Sequence, residues 1–256
     1  MTRKIISIVL GVIALAVFVF SAYKIWEKKH EYSVGVNYYN EIASEAKVPA
    51  KNDAPDIPGD EGITLGPPVP FLVDFDKLHE QNSDIVAWIY CAGTNIDYPV
   101  VQSGDNNYYL RRMLSGEWNI AGTIFMDYRF PSDFSGPNAV IYGHNMNNGS
   151  MFGDLPGYKK QEYFDAHPTM WLFTPERTYR VDIFAGLVTP SNSLDVYGVC
   201  TNDEDLEKYI SYALENSMFT SDVDTESIEK VVVLSTCSYE TDNSRFVLYG
   251  SLVPVD

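Results

Sequence analysis

The first apolar run, Ile5 to Tyr23, is 19 consecutive uncharged positions dominated by Ile, Val, Leu, Ala and Phe. At about 1.5 Å rise per residue this is roughly 28 Å of helix, enough to cross a hydrocarbon core of about 30 Å. The apolar region of a cleaved signal peptide is shorter, about 7 to 15 residues, and ends in a small-residue site of A-x-A type. No such site is clear here, so a retained membrane anchor is expected. Arg3 and Lys4 precede the run while Lys24, Lys28 and Lys29 follow it, which divides the positive-inside count. The short N-terminal tail has no fold to deliver across a membrane and the long remainder has, which places the N-terminus inside and the remainder outside.

Beyond the anchor, Val36 to Lys47 has the spacing of one amphipathic helix. Val48 to Pro70 follows with prolines at 49, 55, 58, 67, 68 and 70, a density that prevents regular helix or central strand and predicts a semi-extended tether. From Phe71 the pattern changes to short apolar, β-branched and aromatic runs between turn residues. Eight strands are predicted: Ile85 to Cys91, Ile96 to Gln102, Gly122 to Met126, Ala139 to Gly143, Met170 to Thr174, Tyr179 to Val188, Val231 to Cys237 and Phe246 to Val253. Ala92-Gly93-Thr94-Asn95 and Pro175-Glu176-Arg177-Thr178 read as hairpin connections. Helical patches fall at Phe75 to Gln81, Met151 to Phe164 and Asp203 to Asn216, the last with Leu206, Tyr209, Ile210, Ala213 and Leu214 on one face and acids in its first turn. A mainly β barrel or sandwich is expected, divided as 1–29 tail and anchor, 30–70 helix and tether, and 71–256 a folded domain.

Composition narrows the function. The 256 residues are 45% hydrophobic and 21% charged, the make-up of a globular protein. Net charge is −17, and the first 29 residues hold five basic residues against one acid, so the rest is more acidic still. Such a surface repels polyanions and lacks the basic face that nucleic acid requires, so no nucleic-acid partner is expected. The order of strands and helices is not that of a doubly wound nucleotide fold, and neither G-x-G-x-x-G nor a P-loop is present. Cys91, Cys200 and Cys237 match neither a paired disulfide framework nor a zinc spacing, so no metal and no cofactor are expected.

Three residues at predicted strand ends carry the candidate chemistry. Val231 to Leu234 is an apolar run that turns polar through Ser235 and Thr236 and ends in Cys237, which brings a sulfur to a rim. Arg245 begins the next strand and, in a hairpin, lies near Cys237, where a guanidinium favours the thiolate and can bind a developing oxyanion. His144 follows another apolar run at the mouth of the loop Asn145 to Ser150, and an imidazole exchanges protons with a thiol and its leaving group near neutral pH. Cys91 and Cys200, within aromatic and apolar surroundings, read as small buried hydrophobes.

Around these residues run Asn82-Ser83-Asp84-Ile85-Val86-Ala87-Trp88-Ile89, Ile96-Asp97-Tyr98-Pro99-Val100-Val101-Gln102, Tyr142-Gly143-His144-Asn145-Met146, Gly149-Ser150-Met151-Phe152-Gly153-Asp154-Leu155, Leu234-Ser235-Thr236-Cys237 and Arg245. In these segments the chain resembles the class B sortases, membrane-anchored cysteine transpeptidases of Gram-positive bacteria. The resemblance implies an eight-stranded β-barrel with N-terminal helices and an inserted helix before the cysteine strand, with 71–256 as catalytic domain. It further implies Cys237 as nucleophile, His144 as general acid and base, Arg245 as substrate and oxyanion stabiliser, the Ser238 backbone as an oxyanion donor, and Ser235 and Thr236 along the substrate groove. The first Thr of the family's usual Thr-Leu-x-Thr-Cys signature is Val233 here, and the acid that some members carry just after the cysteine is replaced by Ser238 and Tyr239. The implied partners are secreted proteins bearing a C-terminal sorting signal and a peptidoglycan precursor amine. Two rival readings of the same residues are a secreted cysteine peptidase that releases a free acid and a non-catalytic surface adhesin.

Overall fold

The computed structural model describes residues 2–50, 68–238 and 243–255. Helix α1 runs unbroken from Thr2 to Ala46, so the expected anchor and the expected Val36–Lys47 helix are one element. No proline interrupts this stretch, and Gly11 and Gly35 within it lower helix propensity by only about 1 kcal/mol each. The side chains described from Ile5 to Ile25 are exposed, whereas Tyr39, Ile42 and Ala46 are buried in the core of the folded domain. The helix is long and apolar enough to cross a membrane.

A two-stranded ribbon, β1 (Lys47–Val48) against β2 (Leu72–Val73), closes the end of α1. The expected tether mostly lies outside the described residues, but the backbone on its two sides is joined by this pairing. Docking of α1 therefore precedes the proline-rich stretch. The Lys47 ammonium contacts the Asp97 carboxylate and lies 4.5 Å from the centre of the Phe71 ring, which fixes the ribbon to the barrel.

The eight expected strands are all present: β3 (Ile85–Tyr90), β4 (Asp97–Val101), β5 (Ile124–Met126), β6 (Asn138–Tyr142), β7 (Thr169–Phe173), β8 (Thr178–Pro190), β9 (Val231–Cys237) and β10 (Ser244–Pro254). They form a closed barrel in the order β10-β8-β7-β3-β4-β5-β6-β9, which decides between barrel and sandwich. Pairs β4–β5 and β6–β9 are parallel, and the others are antiparallel. Both predicted hairpin connections form, the first around Gly93 at φ 78° and the second closed by Thr174 N–H to the Arg177 carbonyl at 2.8 Å.

Helix α2 (Phe75–Gln81) is capped by the Asp74 carboxylate, which accepts from Lys77 N–H. The expected Met151–Phe164 helix is instead a turn, a 3-10 segment at Leu155–Lys159 and a short helix α3 (Gln161–Ala166). Pro156 and Gly157 account for the break, since proline lacks an N–H and Gly157 lets the Tyr163 ring approach its backbone. A short α4 (Leu194–Tyr197) precedes α5 (Asp203–Glu215), the inserted helix before the cysteine strand. Asn202 caps α5 and the acids Asp203, Glu204 and Asp205 occupy its first turn. Its Leu206, Tyr209, Ile210 and Ala213 are buried, and Tyr209 meets Tyr249 of β10 at 5.4 Å between ring centres.

Candidate active site

Strands β6 and β9 are continuous apolar runs, buried from Ala139 to Ile141 and from Val231 to Leu234, as a parallel pair covered on both faces requires. Parallel pairing sends both C-terminal ends to the same rim. Tyr142 is level with Ser235, and His144 and Cys237 each lie two residues beyond that pair. The antiparallel β10 places Arg245 directly opposite Cys237. All three residues line one cavity of about 360 Å³, together with Ser235, Thr236 and Tyr197.

Each strand exit is fastened. The Asn145 side-chain amide donates to the Cys237 carbonyl at 2.9 Å, and Thr236 Oγ1 donates to the Gly143 carbonyl at 2.8 Å, so the ends of β6 and β9 hold each other. Ser235 Oγ lies 3.0 Å from the Tyr197 hydroxyl. Ser235 and Thr236 are only 1% exposed, so their hydroxyls serve the framework of the cavity while the half-buried Cys237 opens to it. The Ser238 N–H donates to the Ser244 carbonyl at 3.0 Å, and the Ser244 hydroxyl returns a bond to the Ser238 carbonyl at 2.6 Å. The donor that the resemblance implies for an oxyanion is thus engaged within the β9–β10 hairpin. Lys159 adds a bond from its ammonium to Ser238 Oγ at 2.9 Å.

His144 is half-buried, with Nε2 at 2.7 Å from the Leu110 carbonyl. A carbonyl only accepts, so Nε2 carries the proton and, in the neutral ring, Nδ1 has the free lone pair. Burial pulls the His144 pKa below the ordinary histidine value. The Leu110 bond opposes this, and the positive Arg111 and Arg245 pull it further down. A neutral imidazole beside a thiol and a guanidinium can take a proton, hold it and return it to a leaving group.

Leu110 and Tyr197 are not among the residues that the sequence places at the site. The Leu110 contribution is a backbone carbonyl, which no side-chain motif announces, and it sits in a one-turn 3-10 segment, Tyr108–Arg111. Tyr197 lies in the equally short α4.

The family model for the sortase domain matches residues 89–253. A curated relative, sortase B of Listeria monocytogenes, is 36% identical over 247 residues, covering 95% of each chain. Among solved structures, a Staphylococcus aureus sortase B–substrate complex is similar with a TM-score of 0.66 at 28% identity, over 71% of this chain and 85% of that one. A structure of sortase B complexed with triglycine is similar with a TM-score of 0.65 at 28% identity, over 71% and 86%. The chain belongs to the sortase family. Its curated relatives are class B enzymes, and the role that this membership supports is that of a sortase transpeptidase.

Proposed function

We propose that the protein is a membrane-anchored cysteine transpeptidase that cleaves a C-terminal sorting signal after Thr and joins the acyl group to an amine of a peptidoglycan precursor. The observation that carries this reading is the convergence of Cys237, Arg245 and His144 on one cavity through a cross-strand pair and a parallel neighbour. The similar structures solved with a substrate and with triglycine support a peptide donor and an amine acceptor as the two ligand classes.

In the proposed reaction the Cys237 thiol gives its proton to Nδ1 of His144 as sulfur attacks the Thr carbonyl. Arg245 stabilises the resulting oxyanion, a role suited to its planar fork of donors. Collapse of the intermediate breaks the peptide bond, and the leaving amine takes the proton from His144, leaving a thioester. The acceptor amine then attacks the thioester and passes its proton to His144. Expulsion of sulfur completes the new amide, and the proton returns to the thiolate. With Ser238 N–H held by Ser244, Arg245 carries the oxyanion in this reading.

The anchor reading completes the proposal: the apolar part of α1 spans the membrane with the N-terminus inside, and the barrel faces the cell wall. Confinement beside membrane-bound donors and acceptors raises the effective concentration of each for the other.

Mass spectrometry of the full chain in detergent, mixed with candidate sorting pentapeptides with and without an amine nucleophile, tests the reading. Expected are an acyl adduct on Cys237, its absence in Cys237→Ala, and a product that shifts from acid to amide when amine is added. An acid product indifferent to amine favours the peptidase reading. The adhesin reading is favoured if no pentapeptide forms an adduct and Cys237→Ala functions like wild type.

A further inference from the structure

We propose that Tyr39, on the helix that carries the anchor, is a positioning residue for His144, acting through the 105–123 excursion between β4 and β5. The inference deepens the function proposed above and rests on it for its kinetic consequences alone.

The orientation of the imidazole depends on the Leu110 carbonyl, which belongs to the excursion and not to a barrel strand. Gly122 packs against this carbonyl, and Thr123 ties the backbone on either side of it. Thr123 N–H donates to the Tyr109 carbonyl at 3.0 Å. Gly122 has φ 61°, and a Cβ there would stand 2.6 Å from the carbonyl oxygens of both Tyr109 and Leu110, so the backbones touch. Tyr39, only 2% exposed, donates its hydroxyl to the Gly122 carbonyl at 2.7 Å and lies 2.8 Å from Thr123 Oγ1. Thr123 Oγ1 in turn donates to the Arg112 carbonyl at 2.7 Å. One phenol therefore holds Gly122, against which the Leu110 carbonyl rests, and touches Thr123, which ties the Tyr109 and Arg112 carbonyls on either side of it.

A second contact lies two turns earlier on α1. The Asn119 amide donates to the Glu31 carbonyl at 3.2 Å, while Asn119 N–H holds the Arg111 carbonyl at 3.0 Å. Gly35 is buried at this contact, and a Cβ there would meet Asn119 Oδ1 at 3.2 Å. The far side of the excursion is fastened independently, by Tyr109 O–H to Asp84 at 2.6 Å. Arg111 and Arg245 are the charged groups that act on His144, and the thiol of Cys237 shares its cavity. Arg111 belongs to the same excursion, tied by its guanidinium to the Ile120 carbonyl at 2.9 Å. Releasing the excursion from α1 would admit water to His144, loosen Arg111 and weaken the Leu110 bond. The first two changes favour the protonated ring and the third disfavours it. Relief of burial, the largest of these influences, sets the net direction upward.

The test follows His144 by NMR in the full chain, labelled on histidine and held in detergent, with the resonance identified by its loss in His144→Gln. In Tyr39→Phe the titration midpoint is expected to move up, toward the ordinary histidine value of about 6.5. Turnover of a sorting peptide should fall on the order of tenfold in kcat, with KM within about twofold. Ile42→Val removes a buried methyl from the same helix without touching a hydrogen bond, and should lower the melting temperature while leaving the titration in place. Gly35→Leu forces a side chain against Asn119 at no cost in helix propensity, should raise the midpoint as well, and serves if Tyr39→Phe does not fold. A His144 midpoint unchanged in both Tyr39→Phe and Gly35→Leu overturns the inference, as does an equal shift in Ile42→Val. The titration needs no substrate, so a wild-type chain that turns over no sorting peptide would count against the proposed function while the positioning role is still decided.

Discussion

Burial and two flanking guanidiniums, against the opposing pull of the Leu110 carbonyl, leave His144 neutral at pH 7, with its pKa below the ordinary histidine value. The acid limb of kcat/KM for a sorting peptide should therefore fall below about pH 6.5, since the proton-accepting form persists there. Stability follows the same shift. Below about pH 6.5 the unfolded chain takes up a proton that folded His144 still refuses, so this residue's contribution is present above that pH and lost as pH falls toward the folded value. His144→Gln should accordingly lose less unfolding free energy than wild type between about pH 7 and pH 5, measured by urea denaturation at each pH. Arg245 offers a second test. Lysine keeps the charge but not the fork of donors, so Arg245→Lys should lower kcat on the order of 10²- to 10³-fold, and near-wild-type turnover would remove Arg245 from the oxyanion role.

The exit of β6 is as demanding as the side chain that follows it. Gly143 packs so closely that a Cβ would collide with Ile124 Cδ1 and lie 2.6 Å from Phe152 Cδ2, and both neighbours are fully buried. Neither can retreat without disturbing the barrel wall. Gly143→Ala should cost about 1–3 kcal/mol in urea denaturation and, by moving His144, lower turnover as well. Gly104→Ala, with nothing within 4 Å of its Cβ, should stay within about 0.5 kcal/mol of wild type. Such packing is invisible in a run read as Ala-Val-Ile-Tyr-Gly, although the run itself announces a strand. The strands are legible because each pairs a β-branched or aromatic run with turn residues at its ends. The 151–164 segment misleads because its apolar spacing suits a helix, while Pro156 and Gly157 divide it into a 3-10 turn and α3.

Helix α1 belongs to two environments, exposed along its apolar half and docked by Tyr39, Ile42 and Ala46 on the barrel. A chain lacking residues 2–29 keeps those three contacts and should be monodisperse by gel filtration with one cooperative melt. Removing residues 2–46 uncovers the apolar surface beneath them. Losing two large buried side chains, at about 1.5–3 kcal/mol each, should lower the melting temperature on the order of 10 °C or drive association. Equal melting of the two truncations would show that α1 adds nothing to the folded domain.

What the linear order of residues specified was local: an apolar stretch long enough for a membrane, eight strand runs, a helix with acids in its first turn before the cysteine strand, and candidate reactive side chains at three strand ends. These follow from periodicity and propensity, which act over a few neighbours. The pairing of β6 with β9 in parallel, the register that sets Arg245 opposite Cys237, and closure into a barrel arise from contacts between residues far apart in the chain. The Leu110 carbonyl that holds His144 and the Ser244 carbonyl that occupies Ser238 N–H belong to the folded molecule for a further reason. Every residue has such a carbonyl, and only tertiary packing selects which one meets a given side chain or N–H of the cavity.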